Sequence, residues 1–182
     1  SEDNNSLLQE TYKRISQLPG VQKPILICNE EHRFIVAEQM RSIDIEPEII
    51  LLEPSGRGTL PAITLAALKA KEKANDSIIL ILSSDQHIGN NETFINAISN
   101  SIEKVLEGKL VTFGIKPTFP STGYGYIKIK KNNFENFHQG LDIESFIEKP
   151  NSEIANLIYK DQGYYWNSGI FIFKAESILN EI

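Results

Sequence analysis

Short apolar runs and longer stretches of helical periodicity take turns along this chain. The apolar runs predict β-strands at 24–28, 48–53, 77–82, 110–115, 124–130, 143–148 and 165–173. The helical periodicity predicts helices at 6–17, with Ser6 as N-cap, at 31–43, 61–74 and 92–106, and a short helix at the end of the sequence. Strands alternate with helices over the first two-thirds of the chain. The pattern therefore favours an α/β fold with a Rossmann-like, mostly parallel sheet and flanking helices.

The run at 77–82 is apolar at nearly every position, which is typical of a strand covered on both faces. It stops abruptly at Ser83-Ser84-Asp85. Ligands of open α/β sheets bind beyond the carboxyl ends of the strands. The polar residues that follow each apolar run are therefore the first candidates for a binding site.

Composition narrows the class of protein and of ligand. A chain of 182 residues with 41% hydrophobic content can bury roughly 70% of its unfolded surface, enough for one domain. The net charge of −6, with both signs interspersed, argues against nucleic acid and anionic membranes as partners. No apolar run is long enough for a membrane helix, and the polar start resembles no signal peptide. The single cysteine, Cys28, fits a buried strand position and a reducing, cytoplasmic compartment.

Two polar clusters follow the second and third predicted strands. The loop at 53–62 is rich in glycine and opens a helix, so its free amides and Arg57 suit an anion, although an ordinary glycine turn has the same composition. Asp85 follows the apolar run directly, where a carboxylate can bind Mg²⁺ together with phosphate oxygens or can simply cap the next turn. His87 has no second histidine at metal-ligand spacing and is interpreted as a surface residue.

Three more clusters lie beside the later strands. Gly123 and Gly125 flank Tyr124 at a strand entry, where bare backbone could face a sugar or a phosphate. Glu148 and Lys149 end a strand and could meet sugar hydroxyls and a phosphate, or form a solvated ion pair. The turn Trp166-Asn167-Ser168-Gly169 leads into an alternating apolar strand, an arrangement that would hold the Asn167 carboxamide rigidly toward a ligand.

Together these motifs resemble the sugar-phosphate nucleotidyltransferases, and among them the bacterial-type mannose-1-phosphate guanylyltransferases. The segments that carry the resemblance are Asn29-Glu30-Glu31-His32-Arg33-Phe34 with Glu38-Gln39, residues 53–62, Ser84-Asp85, residues 110–118, Thr122-Gly123-Tyr124-Gly125-Tyr126-Ile127, Phe146-Ile147-Glu148-Lys149-Pro150 and Tyr165-Trp166-Asn167-Ser168-Gly169. The resemblance covers nearly the whole chain and implies a nucleotide-diphospho-sugar transferase fold.

The resemblance implies that mannose 1-phosphate attacks the α-phosphorus of GTP to give GDP-mannose and pyrophosphate, with Mg²⁺ as cofactor, in polysaccharide biosynthesis. Catalysis of this kind depends on positioning and charge neutralisation. The residues that it implies are Asp85 and Lys149 as catalytic groups, Asp85 as the metal ligand, Glu53, Arg57, Gly58, Thr59 and Pro61 as nucleotide-binding residues, and Gly123, Tyr124, Glu148 and Asn167 as sugar-binding residues. The partners are then GTP, mannose 1-phosphate and GDP-mannose, and a homo-oligomer is left open.

The sequence also departs from the family pattern. Family members begin with a strand and a loop of the type G-G-x-G-T-R that supplies the main catalytic cations, and this sequence has no such segment. Residues 1–182 are therefore expected to be a single nucleotidyltransferase domain fragment, poorly active alone, with unpaired edges where the missing strand would lie. Gly58, Leu60 and Gln86 replace the usual Asn, Ala and His.

Four readings follow from these matches and departures. The first is the guanylyltransferase. The others are a thymidylyl- or uridylyltransferase acting on glucose 1-phosphate, a non-catalytic nucleotide-sugar-binding fragment, and a domain completed by a partner chain.

Overall fold

The computed structural model describes residues 5–53, 59–130 and 140–182. Its helices are α1 (Leu7–Ile15), α2 (Arg33–Arg41), α3 (Thr59–Lys73), α4 (Asn91–Leu106), α5 (Ser152–Lys160) and α6 (Ala175–Leu179), and a 3₁₀ turn at Glu30–His32 precedes α2. Its strands are β1 (Ile25–Asn29), β2 (Ile49–Glu53), β3 (Ile78–Ile81), β4 (Val111–Ile115), β5 (Tyr126–Ile129), β6 (Ile143–Ile147) and β7 (Tyr164–Lys174). None of the helices in these three segments is long and apolar enough to cross a bilayer.

Two sheets form from these strands. β1 and β2 pair in parallel, and their carboxyl ends meet where Asn29 lies opposite Glu53. The second sheet has the order β3-β7-β5-β6, with β4 also paired to β7, and its ladders are antiparallel. The predicted α/β class with flanking helices is therefore confirmed. The parallel ladder lies at β1–β2, and β7 runs against each of its neighbours.

The long strand β7 organises the hydrophobic core because its side chains alternate between two faces. Phe173 packs on one face with Ile63 and Ala67 of α3, and Ile79 of β3 belongs to the same cluster. Ile170 and Ile172 pack on the other face against α4, where Leu80 of β3 joins them. The prediction that the run at 77–82 is covered on both faces is thus confirmed by the opposite placement of Ile79 and Leu80.

The two sheets have unpaired edges among the described residues, because β1 pairs only with β2 and β3 pairs only with β7. The sequence predicted unpaired edges without specifying the strands that carry them. Helix α1 links the two halves through polar side chains: Gln9 Nε2 donates to the backbone oxygen of Gln39 in α2 at 2.6 Å, and Arg14 Nε donates to Asn91 Oδ1 of α4 at 3.0 Å. Both side chains are buried, which gives these hydrogen bonds more weight than exposed ones would have.

The predicted elements agree with the structure to within a few residues at each end. Ser6 caps α1 as predicted and forms a capping box with Gln9. The predicted helix at 31–43 is divided into a 3₁₀ turn and α2. Helix α5 was not predicted, although Asn151 is an N-cap that accepts from the Ile154 amide at 2.9 Å.

Candidate functional site

Three residues from two other segments, β7 and the end of β6, meet around Gly125. The backbone N–H of Asn167 in β7 donates to the Gly125 carbonyl at 2.8 Å. On the other side, Oε2 of Glu148 lies 2.8 Å from the point that a Cβ on residue 125 would occupy, and Phe146 Cζ lies 2.6 Å from it. Gly125 is buried, whereas the side chain of Glu148 is 58% exposed. The absent side chain therefore leaves room for a carboxylate that still faces solvent.

A bulge in β7 shapes the same site. The pairing advances by two residues on β4, from Thr112 to Gly114, but by four on β7, from Phe171 back to Asn167. Gly169 lies inside this bulge at φ +73°, a conformation that suits glycine. Gln86 braces the bulge from the end of β3, since its Nε2 donates to the Ser168 carbonyl at 2.5 Å. The polar turn is therefore fixed both by its own backbone and by a side chain that adjoins Asp85.

Three aromatic rings flank this cluster. Trp166 contacts Phe119 edge-on with centroids 4.9 Å apart and contacts Tyr124 edge-on at 5.0 Å. Phe119 and Tyr124 are each about half exposed. The buried indole nitrogen of Trp166 has no hydrogen-bond partner among the described residues. The rings pack together at the loop that enters β5, and Phe119 and Tyr124 keep part of their apolar surface exposed there.

Two tyrosine hydroxyls donate hydrogen bonds to backbone carbonyls of the loop that enters β5. The fully buried Tyr126 donates to the Ser121 carbonyl at 2.8 Å, and Tyr159 of α5 donates to the Thr118 carbonyl at 3.1 Å. The Gly123 amide donates to Ser121 Oγ at 3.2 Å and so closes a local turn. Helix α5 therefore has a role in the site, because it fixes the loop that bears Gly123 and Tyr124.

Glu148 and Lys149 form an exposed charged pair at the end of β6. Lys149 Nζ lies 3.5 Å from Glu148 Oε1, and both side chains are more than half exposed. An ion pair of this kind contributes little by itself and leaves both groups free for a ligand. The backbone of Lys149 has φ +40°, which is uncommon for a side chain with a Cβ and often marks a functional site.

Asp85 is exposed beyond β3 and accepts a hydrogen bond from Ser83 Oγ at 2.5 Å. Within the three described segments, no group of three or more His, Cys, Asp or Glu side chains could hold a metal ion. One exposed carboxylate does not make a closed metal cage. It does fit Mg²⁺, which is commonly bound by one or two carboxylates plus substrate phosphates.

The predicted nucleotide-binding residues that the structure describes are divided between the β1–β2 sheet and α3, a helix that packs against β3 and β7. Glu53 ends β2, is half-buried and stands in register with Asn29, and Pro61 is exposed in the first turn of α3. Thr59 is the first residue of α3, but its side chain lies outside the described residues, as do Arg57 and Gly58. Their predicted roles stay predictions.

Of the predicted sugar-binding residues, Glu148 and Asn167 both contact Gly125, and Tyr124 precedes it in the chain with its ring against Trp166. Lys149 lies beside Glu148. Sequence reasoning assigned no site role to Thr112 or Gln86 and did not place Gly125 among the sugar-binding residues, although each contacts this group. Gly125 stood inside the quoted motif, but spacing alone could not rank it against Gly123. The distinguishing signal is its position one residue before β5, where a side chain would meet β6.

These features define an α/β protein with a polar candidate site at strand ends. The family model for nucleotidyl transferases, described as "Nucleotidyl transferase", matches residues 1–182. The chain therefore belongs to the nucleotidyl transferase family, and the expected family is confirmed.

Individual relatives agree with this assignment. The chain is 46% identical over 178 residues to mannose-1-phosphate guanylyltransferases of Escherichia coli and Klebsiella pneumoniae, an alignment that covers 98% of this chain and 38% of each relative. The chain thus spans well under half of their length. A crystal structure described as mannose-6-phosphate isomerase from Helicobacter pylori superposes with a TM-score of 0.85 at 33% identity, covering 99% of this chain and 66% of that one.

Proposed function

We propose that this chain is the nucleotide-sugar-binding part of a mannose-1-phosphate guanylyltransferase, which converts GTP and mannose 1-phosphate to GDP-mannose and pyrophosphate. The observation that carries the proposal is the convergence of Glu148, Asn167 and Gly125 beside exposed aromatic rings. Relatives named for this reaction are 46% identical over nearly the whole chain. The reducing cytoplasm, where GTP is available, suits the single free cysteine.

The site chemistry suits a sugar. A carboxylate accepts hydrogen bonds from two hydroxyls at once, and a carboxamide can accept from a third. Glu148 and Asn167 would hold the mannose hydroxyls, Gly123 and Tyr124 would line the same pocket, and the half-exposed aromatic faces would cover the C–H side of the ring. Lys149 lies next to Glu148 in sequence and is free to face the sugar phosphate.

The phosphate end of the reaction falls to Asp85 and the nucleotide loop. Asp85 would hold Mg²⁺ together with phosphate oxygens, and the ion would neutralise charge on the triphosphate. Ser83 keeps the carboxylate of Asp85 in place through its 2.5 Å hydrogen bond. Glu53, Arg57, Gly58, Thr59 and Pro61 would bind the guanine nucleotide. The reaction is a direct displacement between phosphates, so positioning and charge account for catalysis.

A second candidate is a nucleotide-sugar-binding unit without turnover of its own. The unpaired edges of β1 and β3 favour it, because no strand pairing joins the two sheets among the described residues. Polar side chains of α1 and the ion pair between Lys73 of α3 and Glu48 beside β2 connect the two sheets instead. A segment or partner chain pairing with both edges would fix the two halves relative to each other. On this reading, the sugar half binds while the complete reaction needs the added strand.

Two measurements on the purified 182-residue chain test the proposal. Calorimetric competition among GDP-mannose, dTDP-glucose and UDP-glucose, each with Mg²⁺, should show GDP-mannose binding at least about ten-fold more tightly. Equal affinity for all three would favour the thymidylyl- or uridylyltransferase reading and overturn guanine specificity. Pyrophosphate release from GTP and mannose 1-phosphate then separates the two candidates, since the binding unit gives none.

A further inference from the structure

The hydroxyl of Thr112 stands between two oxygen atoms. Its Oγ1 lies 2.8 Å from Asn167 Oδ1 and 2.9 Å from the backbone oxygen of Ile170. A hydroxyl has one proton and can donate to only one of them. With this placement of atoms, one oxygen would face the Thr112 oxygen below 3 Å without a proton between them, which is unfavourable.

Turning the Asn167 carboxamide resolves the conflict. The oxygen and nitrogen of an amide side chain are nearly indistinguishable in shape, so their assignment follows from the hydrogen-bond network. The Ile170 carbonyl belongs to the backbone and cannot be exchanged. With Nδ2 of Asn167 toward Thr112, the amide donates to Oγ1, and Oγ1 donates to Ile170. Both short contacts then become good hydrogen bonds.

The backbone explains why this junction exists. The bulge in β7 places four residues of β7 against two of β4, so the Asn167 side chain and the Ile170 carbonyl reach the same hydroxyl. Gly169 at φ +73° makes that turn of the backbone accessible. A regular ladder would place residues 167 and 170 opposite β4 residues three positions apart. The bulge and Thr112 therefore together determine the position of the Asn167 side chain.

We propose that Thr112 is a positioning residue that fixes the Asn167 carboxamide with Nδ2 inward and Oδ1 toward the ligand. Asn167 then offers an acceptor, as Glu148 does, and the two accept from ligand hydroxyls. The preference for ligand hydroxyls rests on the proposed function, because it concerns the sugar that the site binds. A ligand hydroxyl replaced by an acceptor-only group, such as a methyl ether, would lose this contact.

The orientation can be tested without any ligand. In the full 182-residue chain, the Asn167 side-chain amide protons should show nuclear Overhauser contacts to the Thr112 methyl group, and one of them should resonate downfield as a hydrogen-bonded proton. Thr112→Val keeps the shape but removes the hydroxyl, so the downfield shift should vanish, whereas Thr112→Ser should keep it. Side-chain amide protons of Asn167 with the same chemical shifts in wild type and Thr112→Val would overturn the proposal.

Binding supplies an independent arm. Thr112→Val should weaken GDP-mannose binding by about ten-fold, while Thr112→Ser stays within about two-fold of wild type. Thr64→Val is the matched control, since its hydroxyl also donates to a backbone carbonyl, at 2.9 Å on α3, away from the site. Equal losses in Thr112→Val and Thr64→Val would contradict a positioning role. If wild type binds no GDP-mannose, the proposed function fails and the amide spectrum alone decides the orientation.

Discussion

Oε2 of Glu148 lies 2.8 Å from the place where a Cβ atom on Gly125 would be. The carboxylate of the candidate sugar site thus occupies space that only glycine leaves open. Gly125 also accepts the Asn167 amide hydrogen bond at 2.8 Å, so one glycine touches both polar residues of the site. This relationship makes Gly125 a determinant of site geometry, although its own atoms carry no side-chain chemistry.

Gly125→Ala should therefore damage binding more than folding. The atoms that the new methyl group meets are the ends of two half-exposed side chains, Phe146 and Glu148, which can move aside. We expect a stability loss of about 1 kcal/mol or less, but GDP-mannose binding at least about ten-fold weaker. Chemical denaturation and calorimetry measure the two effects.

Gly123→Ala tests the other glycine of the same motif. A Cβ at residue 123 would meet only Ser121 Oγ, at 3.8 Å, and the residue is exposed. Binding within about two-fold of wild type is expected, because Gly123 is proposed to line the pocket with backbone atoms, which the added methyl group leaves in place. The reverse ranking, with Gly123→Ala the more harmful, would mean that Gly123 is the glycine facing the sugar.

Trp166 makes the site observable by fluorescence. It is the only tryptophan in the chain, and its ring lies about 5 Å from those of Phe119 and Tyr124. A sugar covering Tyr124 changes the surroundings of the indole, so GDP-mannose should change the emission intensity or wavelength. Glu148→Ala should abolish the change, and Lys13→Ala, remote on α1, should not. Emission that is constant through a saturating titration would place the ligand elsewhere.

Hydrogen exchange should separate the two sheets. β7 pairs with β3, β4 and β5 and lies between two buried clusters, whereas β2 is the only partner of β1 in the part of the chain that the structure describes. Amides in β7 are therefore expected to exchange slowest and those in β1 and β2 several-fold faster, because local opening is easier where one edge is unpaired. Mass spectrometry of peptides covering 25–29 and 164–174 provides the comparison. Equal protection of both peptides would show that the edge of β1 is covered.

Cys28 should make the folding stability of the chain depend on pH in the alkaline range. Burial, with a smaller contribution from Glu53, raises the pKa of the Cys28 thiol above its usual value. Folding therefore favours the neutral thiol, and this contribution is complete below the unfolded-state pKa and lost as the pH rises through the folded-state pKa. Between about pH 7.5 and about pH 10, the free energy of unfolding measured by chemical denaturation should fall more for wild type than for Cys28→Ala. An equal fall in both proteins would contradict a raised pKa of Cys28.

Much of the fold follows from local pattern. The apolar run at 77–82 was legible as a strand buried on both faces because no polar residue interrupts it, and Ile79 and Leu80 do lie in opposite clusters. Ser6 is predicted as an N-cap because a serine precedes a helical pattern, and the structure adds Gln9 as its partner in a capping box. Helix α5 carried comparable signals in Asn151 and Glu153 and was overlooked. Local chemistry therefore fixes most element positions.

Pairing and fine site geometry depend on contacts distant in sequence. That β7 would sit between β3 and β5 follows from core packing, which no local window contains. The bulge at Gly169 appears only when β4 is laid against β7. Gly123 and Gly125 are equivalent in the sequence motif, and only the approach of Glu148 from β6 distinguishes them. The same holds for Thr112, which reads as an ordinary strand threonine until Asn167 reaches it.

The most direct test of the account is calorimetric titration of GDP-mannose with Mg²⁺ into the 182-residue chain, after its mass and a cooperative melt have been verified. We predict saturable binding that Glu148→Ala abolishes and that Glu144→Ala leaves intact. Glu144 is the matched control because it belongs to the same strand, β6, but pairs with Lys128 of β5 at 2.9 Å, whereas Glu148 approaches Gly125. Absence of binding by the well-folded chain, or binding untouched by Glu148→Ala, would contradict a sugar site built on Gly125, Glu148 and Asn167.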